Sequence, residues 1–211
     1  MEMVELFFAV LASLFSLVNP MGAVPFFLAM TPHYTKAERE HTAVHTSLYF
    51  TLILLAFFFA GSLILSFFGI SLNAMRIAGG LVILSSGYSL LNGKFAEGRA
   101  IDRKVREEAL AKDDISFSPM AMPMLSGPGS ISYLVGVFAA NPSWGARGIV
   151  AGVIMLTGLA VYFILRSAPF LQKALGVAGL KAMTRIMGFL VMAIGIQYII
   201  TGVVDLVKVL A

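Results

Sequence analysis

The sequence contains no cysteine, little charge and no signature of a catalytic loop. Without cysteine there is no disulfide framework, no thiolate nucleophile and no cysteine metal site, so iron–sulfur and zinc-ribbon readings fall away. Charged residues make up only 12 % of the chain, against about a quarter in a soluble domain. The apolar share is 59 % and the mean hydropathy +0.90, so water is not the main solvent of this chain. There is no His-Glu-x-x-His metalloprotease motif, no Gly-x-Ser-x-Gly elbow, no Walker loop and no dinucleotide fingerprint. An enzyme is therefore not expected, nor a cofactor, nor a bound metal. The first residues, Met1-Glu2-Met3-Val4-Glu5, lack the basic stretch of a signal peptide, and the apolar run after them is too long for one, so it is expected to be the first membrane span.

What is present is a set of long stretches free of Lys, Arg, His, Asp and Glu: residues 6–32, 46–75, 77–93, 115–146, 148–165 and 186–204. About 20 helical residues cross a hydrocarbon core of about 30 Å, so each stretch predicts one crossing. The expected fold is an all-α membrane protein of six transmembrane helices. Arg76, Lys94, Arg147 and Arg166 flank the shorter third and fifth stretches, where they can snorkel to the headgroups.

Loops alternate sides. Lys36, Arg39, Lys94, Arg99, Arg103, Lys104, Arg106, Lys112, Arg166, Lys173, Lys181 and Arg185 fall on one side, and only Arg76, Arg147 and Lys208 on the other. The positive-inside bias predicts basic loops in the cytoplasm and both termini outside. Trp144, in the outer turn that follows Asn141, suits an interfacial anchor. Residues 94–114 hold six basic and six acidic residues, a balance that fits a solvated linker and not a nucleic-acid-binding tail. Residues 168–177 are a candidate surface-lying segment. The expected division is a first three-helix unit over 1–93, a charged cytoplasmic linker over 94–114 and a second three-helix unit over 115–211.

The two units echo each other. Arg76-Ile77-Ala78-Gly79-Gly80-Leu81-Val82 faces Arg185-Ile186-Met187-Gly188-Phe189-Leu190-Val191 at an offset of 109 residues, and Asn19-Pro20-Met21-Gly22 faces Gly127-Pro128-Gly129-Ser130 at 108. A unit with an odd number of crossings that is repeated must be inverted, the architecture of many secondary transporters. Pro20 and Pro128, each with glycine close by, predict first and fourth helices broken near mid-membrane; two ordinary proline kinks are the plain alternative. Each break would bring one helix C-terminus and one N-terminus to the same point. Free amides at Gly22–Ala23 and Gly129–Ile131 suit a carboxylate, and carbonyls before Asn19 and Gly127 suit an ammonium group. The candidate substrate residues are therefore Asn19, Pro20, Met21, Gly22, Ala23, Ser126, Gly127, Pro128, Gly129 and Ser130, and the ligand they favour is a small neutral amino acid. A Cβ at Gly129 is expected both to fill the cavity and to resist the backbone angles.

The motifs Leu17-Val18-Asn19-Pro20-Met21-Gly22-Ala23, Phe68-Gly69-Ile70-Ser71, Arg76-Ile77-Ala78-Gly79-Gly80, the run from Pro119 to Ile131, and Thr184-Arg185-Ile186-Met187-Gly188 together resemble the MarC family of bacterial and archaeal membrane proteins over essentially the whole chain. The resemblance implies an inner-membrane location and transport of glycine and alanine, with serine a third candidate. The alternatives are a passive channel for small neutral solutes and a membrane scaffold or regulator without a solute path.

Other candidates are secondary. His41 and His45 share a helical face with Glu38 one turn earlier, a pattern open to a proton or metal site but an incomplete ligand set. No acidic residue lies inside a span, so the candidate coupling groups are Glu5, His41, His45 and Asp205 at span ends. Gly148 and Gly152 form a G-x-x-x-G whose alternatives are packing inside the bundle, which is the expectation, or between copies in a homo-oligomer. Membrane lipid and a small neutral amino acid are the expected partners.

Overall fold

The computed structural model describes residues 3–93 and 114–210, with the backbone alone at 209 and 210. The expected linker over 94–114 therefore lies outside the described residues, except for Asp114. The described residues form seven α-helices and one irregular helical segment, with no strand among them: α1 (Met3–Val18), α2 (Pro20–Met30), α3 (Lys36–Phe67), α4 (Leu72–Leu91), the irregular segment Ser116–Leu125, α5 (Pro128–Ala140), α6 (Trp144–Arg166) and α7 (Ala168–Leu210).

Helix boundaries follow local chemistry. Thr35 caps α3 by accepting from the Glu38 N–H at 3.3 Å, while Glu38 Oε2 accepts from the Thr35 N–H at 2.7 Å. Ser71 and Ser143 cap α4 and α6 by accepting from the amides of Ala74 and Ala146. At the other end of α3, Gly69 takes φ +65° and lets the Ile70 N–H reach Leu65 O at 2.9 Å. The second charge-free stretch, expected to cross as residues 46–75, thus ends some residues early. Counting charges placed the boundary at Arg76, whereas the chain turns at Gly69 and Arg76 sits inside α4.

Among the described residues, five stretches are long and apolar enough to cross a membrane: Met3–Met30, Lys36–Phe67, Leu72–Leu91, Trp144–Arg166 and Ala168–Lys208. The fourth charge-free stretch is not a continuous helix. Pro119 and Pro123 remove amide donors, Ser118 and Met122 before them are extended, and i→i+5 bonds join Met120 N–H to Ile115 O and Ser126 N–H to Ala121 O. Only the 13 residues of α5 are regular, about 20 Å by helix rise. Residues 168–177, the candidate surface-lying segment, hold the helical turns at the start of α7, which a backbone break at Gly176 (φ 64°, ψ 173°) sets off from the rest of that helix.

Leu14, Phe27, Phe50, Phe58, Met120, Met124 and Leu134 fill the centre, while Leu63, Phe67, Phe170, Ile186 and Phe189 point outward. Large apolar side chains on both faces of the helices fit a bundle solvated by lipid. α4 and α7 run antiparallel with their backbones in close approach. A Cβ on Gly87 would stand 2.8 Å from Gly188 O, and one on Gly188 would stand 2.9 Å from Gly87 O. Gly80 and Gly195 repeat this at 2.7 and 2.8 Å, and Gly202 lies against Asn73 O. The contacts recur every seven residues, two turns, so they return to one helical face. The G-x-x-x-G of α6 behaves otherwise. Gly148 and Gly152 have nothing within 4 Å of a Cβ position, which corrects the expected packing inside the bundle. α6 packs instead through Val150, Val153, Ile154, Thr157 and Val161, with Gly158 against Thr51.

Candidate functional site

The chain is interrupted at two places. Between α1 and α2 the interruption is a single residue, Asn19, in the left-handed region at φ 47°, ψ 61°. Asparagine tolerates this region because its short amide bonds locally. Here Asn19 N–H donates to Phe15 O, while Asn19 O and Oδ1 accept from the Gly22 N–H at 3.0 and 3.3 Å. Pro20 follows at the first helical position, where its missing N–H costs nothing. The opening is narrower than the unwound turn the sequence predicts: these backbone groups are satisfied, and the unpartnered group is the side-chain Nδ2.

The second interruption is wider. Gly127 is extended and carries no side-chain cap, Pro128 starts α5, and the first intrahelical bond is Ile131 N–H to Gly127 O at 3.2 Å. The amides of Gly129 and Ser130 precede that bond at the positive end of the α5 dipole. Ser130 Oγ donates to Gly127 O at 2.9 Å, and Ser126 Oγ, buried, has no partner. Gly129 does not have a positive φ, which corrects the expected backbone constraint there. What the site requires is room, because a Cβ would come within 3.1 Å of Ile83 Cγ1.

Gly127, Pro128, Gly129 and Ser130 line a cavity of about 380 Å³ with Ser85 and Ser86 of α4, Leu17 of α1 and Val191 of α7, and among the described residues no charged side chain borders it. That volume lies at the small end of the ligand-cavity range of about 300–1,000 Å³. The candidate residues of the first interruption do not line this cavity. Gly22 borders another, of about 240 Å³, with Thr184, Lys181 and Gly93. Asn19, Pro20 and Ala23 are buried, and Met21 is half-buried. Asn19 borders neither space, while Leu17 before it borders the first and Gly22 after it the second.

Sequence reasoning missed Ser85, Ser86, Thr46 and Thr184. The signal for Ser85, Ser86 and Thr46 was a hydroxyl within a charge-free stretch, whereas Thr184 lies between Lys181 and Arg185 and carried no such signal. Thr46 Oγ1 is buried without a partner, and Thr184, 6 % exposed, donates to Leu180 O at 2.9 Å. Three buried polar atoms, Asn19 Nδ2, Thr46 Oγ1 and Ser126 Oγ, are thus unsatisfied among the described residues. Each costs about 1–3 kcal/mol unless something binds it.

The candidate coupling groups stand apart from both cavities. Glu5 is exposed near the start of α1, and Asp205 pairs with Arg76. The His41 and His45 rings lie 4.0 Å apart, and His45 Nδ1 is 3.0 Å from His41 O. Glu38 is not their partner, because its carboxylate accepts from the Thr35 N–H. Asp114 is the acid near them. Burial alone would raise its pKa, but hydrogen bonds from Ser116 and the positive charge of His45 and His41 bring it below the usual value.

The sequence matches the profile of MarC family integral membrane proteins over residues 4–207. A UPF0056 membrane protein of Methanocaldococcus jannaschii is 38 % identical over 94 % of this chain and 96 % of its own length. The Escherichia coli UPF0056 membrane protein YhcE is 35 % identical over 93 % and 91 %. The UPF0056 inner membrane protein MarC of Salmonella typhimurium is 31 % identical over 98 % and 99 %. No solved structure matches the chain. With the profile and full-length relatives in agreement, the chain belongs to the MarC family of integral membrane proteins.

Proposed function

We propose that this chain is a secondary transporter of small neutral amino acids, glycine and alanine first, and not an enzyme. The observation that carries the reading is the cavity at the start of α5. It joins a helix N-terminus and the Ser85–Ser86 hydroxyls, with no charged side chain in its wall among the described residues; Ser126, which precedes the lining residue Gly127, is buried with its Oγ unpartnered and does not itself border the space. A carboxylate is favoured at the first-turn amides of Gly129 and Ser130. A net-neutral solute is favoured because a net charge would find no counter-charge there. Irregular backbone within a lipid-solvated bundle is tolerated where it lines such a space.

The architecture proposed around it is two inverted three-helix repeats. α1–α2 and the segment from Ser116 through α5 each make one crossing, and α4 and α7 are the equivalent third helices. Their antiparallel, reciprocal glycine contacts support this, as do the matching motifs at nearly constant offset. The basic-residue bias supports both termini outside, and the inner-membrane name of the Salmonella relative supports that location. The test is alanine counterflow in proteoliposomes. Saturable exchange of labelled alanine for internal glycine supports a carrier. Non-saturable flux without counterflow would make the chain a channel, and no flux would leave the scaffold reading.

A further inference from the structure

We infer that a third cavity, where α3, α6 and α7 meet, binds the phosphate of an anionic phospholipid. It is separate from the two cavities at the helix interruptions, and its binding is an equilibrium property whether or not the chain moves a solute. The cavity, about 380 Å³, lies at the level where three candidate spans begin or end. Lys36 and Arg39 line it from the start of α3, Arg166 from the last turn of α6, and Pro169 and Phe170 from the start of α7. With both termini outside, as proposed, this level is the inner surface of the membrane.

Among the described residues, three cations and one acid border this space, and the acid is already engaged. Glu40 Oε1 lies 3.0 Å from Arg166 Nη2 and accepts from the Tyr162 hydroxyl at 3.4 Å. Arg39 has only neutral partners: Nε donates to Thr31 Oγ1 at 3.3 Å, and Nη2 donates to the carbonyls of Thr31 and Tyr34 at 2.9 and 3.3 Å. These bonds fix the plane of the guanidinium and leave Nη1 without a hydrogen bond among the described residues. The side chain is half-buried and lines the cavity. Lys36, exposed and one turn earlier on α3, pairs with no acid among the described residues either. Two positive charges are thus uncompensated in one wall. A pre-oriented guanidinium beside an ammonium group matches the oxygens of a phosphate.

Phe170 decides which phosphate. Its ring is 70 % exposed, and with Pro169 it gives the cationic cavity an apolar wall. At the boundary of the hydrocarbon an exposed ring lies against acyl chains, whereas a free phosphate ion would leave it facing water. A lipid uses both walls at once, with its phosphate at Lys36 and Arg39 and its chains along Phe170. Net charge then selects among lipids. A zwitterionic headgroup would bring its own ammonium among three cations, so a net-negative lipid such as phosphatidylglycerol is favoured.

The test uses the full chain in neutral detergent, with the thermal midpoint followed against phosphatidylglycerol, phosphatidylcholine of the same chains, or inorganic phosphate, all at constant ionic strength. Phosphatidylglycerol should raise the midpoint saturably, and the other two should not. Lys36→Gln should weaken the apparent affinity for phosphatidylglycerol about fivefold, and Glu40→Gln, which removes the acid from the cavity, should strengthen it by about as much. Lys208→Gln makes the same charge change at the far end of α7, on a side chain 73 % exposed, and should leave the titration unchanged. Opposite shifts from two residues one turn apart do not arise from a weakened fold, so the pair reports on the site itself. No saturable shift, or an equal shift with phosphatidylcholine, overturns the inference. A shift with inorganic phosphate alone does so too, because it assigns the cavity to a free ion. So does a titration that Lys36→Gln weakens no more than Lys208→Gln, or that Glu40→Gln fails to strengthen, because the lipid is then held by diffuse surface charge.

Discussion

Arg76 Nη1 donates to Asp205 Oδ2 at 2.7 Å, which ties the start of α4 to the end of α7, and the arginine side chain is only 11 % exposed. The aspartate is 38 % exposed and also lies 3.8 Å from Lys208 Nζ. Asp205→Asn should therefore cost about 1–2 kcal/mol, above a surface pair, because it leaves a mostly buried guanidinium without its counter-charge. Arg76→Gln should cost a similar amount, and Arg76→Gln/Asp205→Asn less than the two added together. Thermal midpoints of the four proteins in one detergent form the cycle, and additive losses would show that the pair is not coupled.

The α4–α7 contact predicts unequal tolerance among glycines. Gly188→Ala puts a methyl 2.8–2.9 Å from the backbone of Leu91 and Gly87, which cannot rotate away, and should destabilise by about 1–3 kcal/mol. Gly148→Ala and Gly152→Ala meet nothing within 4 Å and should fall within about 0.5 kcal/mol of the parent. Equal midpoints for Gly188→Ala and Gly152→Ala would argue against the close approach.

At Gly129 the limit is space. Alanine requires only a small shift of the Ile83 side chain, whereas valine adds bulk at the mouth of the α5 amides. Gly129→Ala should keep most glycine flux, and Gly129→Val should lower it about tenfold or more with insertion intact. Normal flux in the valine variant would remove Gly129 from the solute path.

The depressed Asp114 pKa has a defined consequence. A carboxyl whose folded pKa is lowered contributes stability that is full above its ordinary value of 3.8 and is lost as pH falls through the lowered one. Acid unfolding of the parent should therefore include a component below pH 3.8 that Asp114→Asn lacks. Matching acid limbs for the two proteins would contradict this.

Energy coupling should not depend on a central acid, since Glu5 is exposed, Asp205 is paired and the histidines stand apart from both cavities. Glu5→Gln and His41→Gln/His45→Gln should keep pH-gradient-driven alanine uptake near the parental level. A loss of accumulation with counterflow intact would assign coupling to the residue changed.

Charge counting made the apolar, all-helical class legible, because long uncharged runs act locally. Three features escaped. The turn at Gly69 replaced the boundary expected at Arg76, since a glycine cap ends a helix without any charge to mark it. Gly22 and Gly127–Ser130 were expected to share one site, yet they border different spaces. Which side of an interruption faces which cavity depends on how α2 packs on α7, and no local pattern encodes that. Gly148–Gly152 matched a packing motif and faces outward, because small-residue spacing marks a face without naming its partner.

The glycine seam between α4 and α7 also sets which wall of the molecule can move. Sliding one helix past the other by less than two turns would drive side chains such as Ile77 and Met192 into backbone carbonyls, so the pair has one register and behaves as a keel. Both cavities use this keel as a wall, through Ser85 and Val191 at one level and Gly93 and Thr184 at the next, with Thr184 and Val191 about 10 Å apart along α7 by helix rise. Any change in their size must come from the opposite side, where α2 and α5 begin. On the proposed carrier reading, a covalent clamp within the keel would leave alanine exchange unaltered, while one that fastens α2 to α7 would stop it.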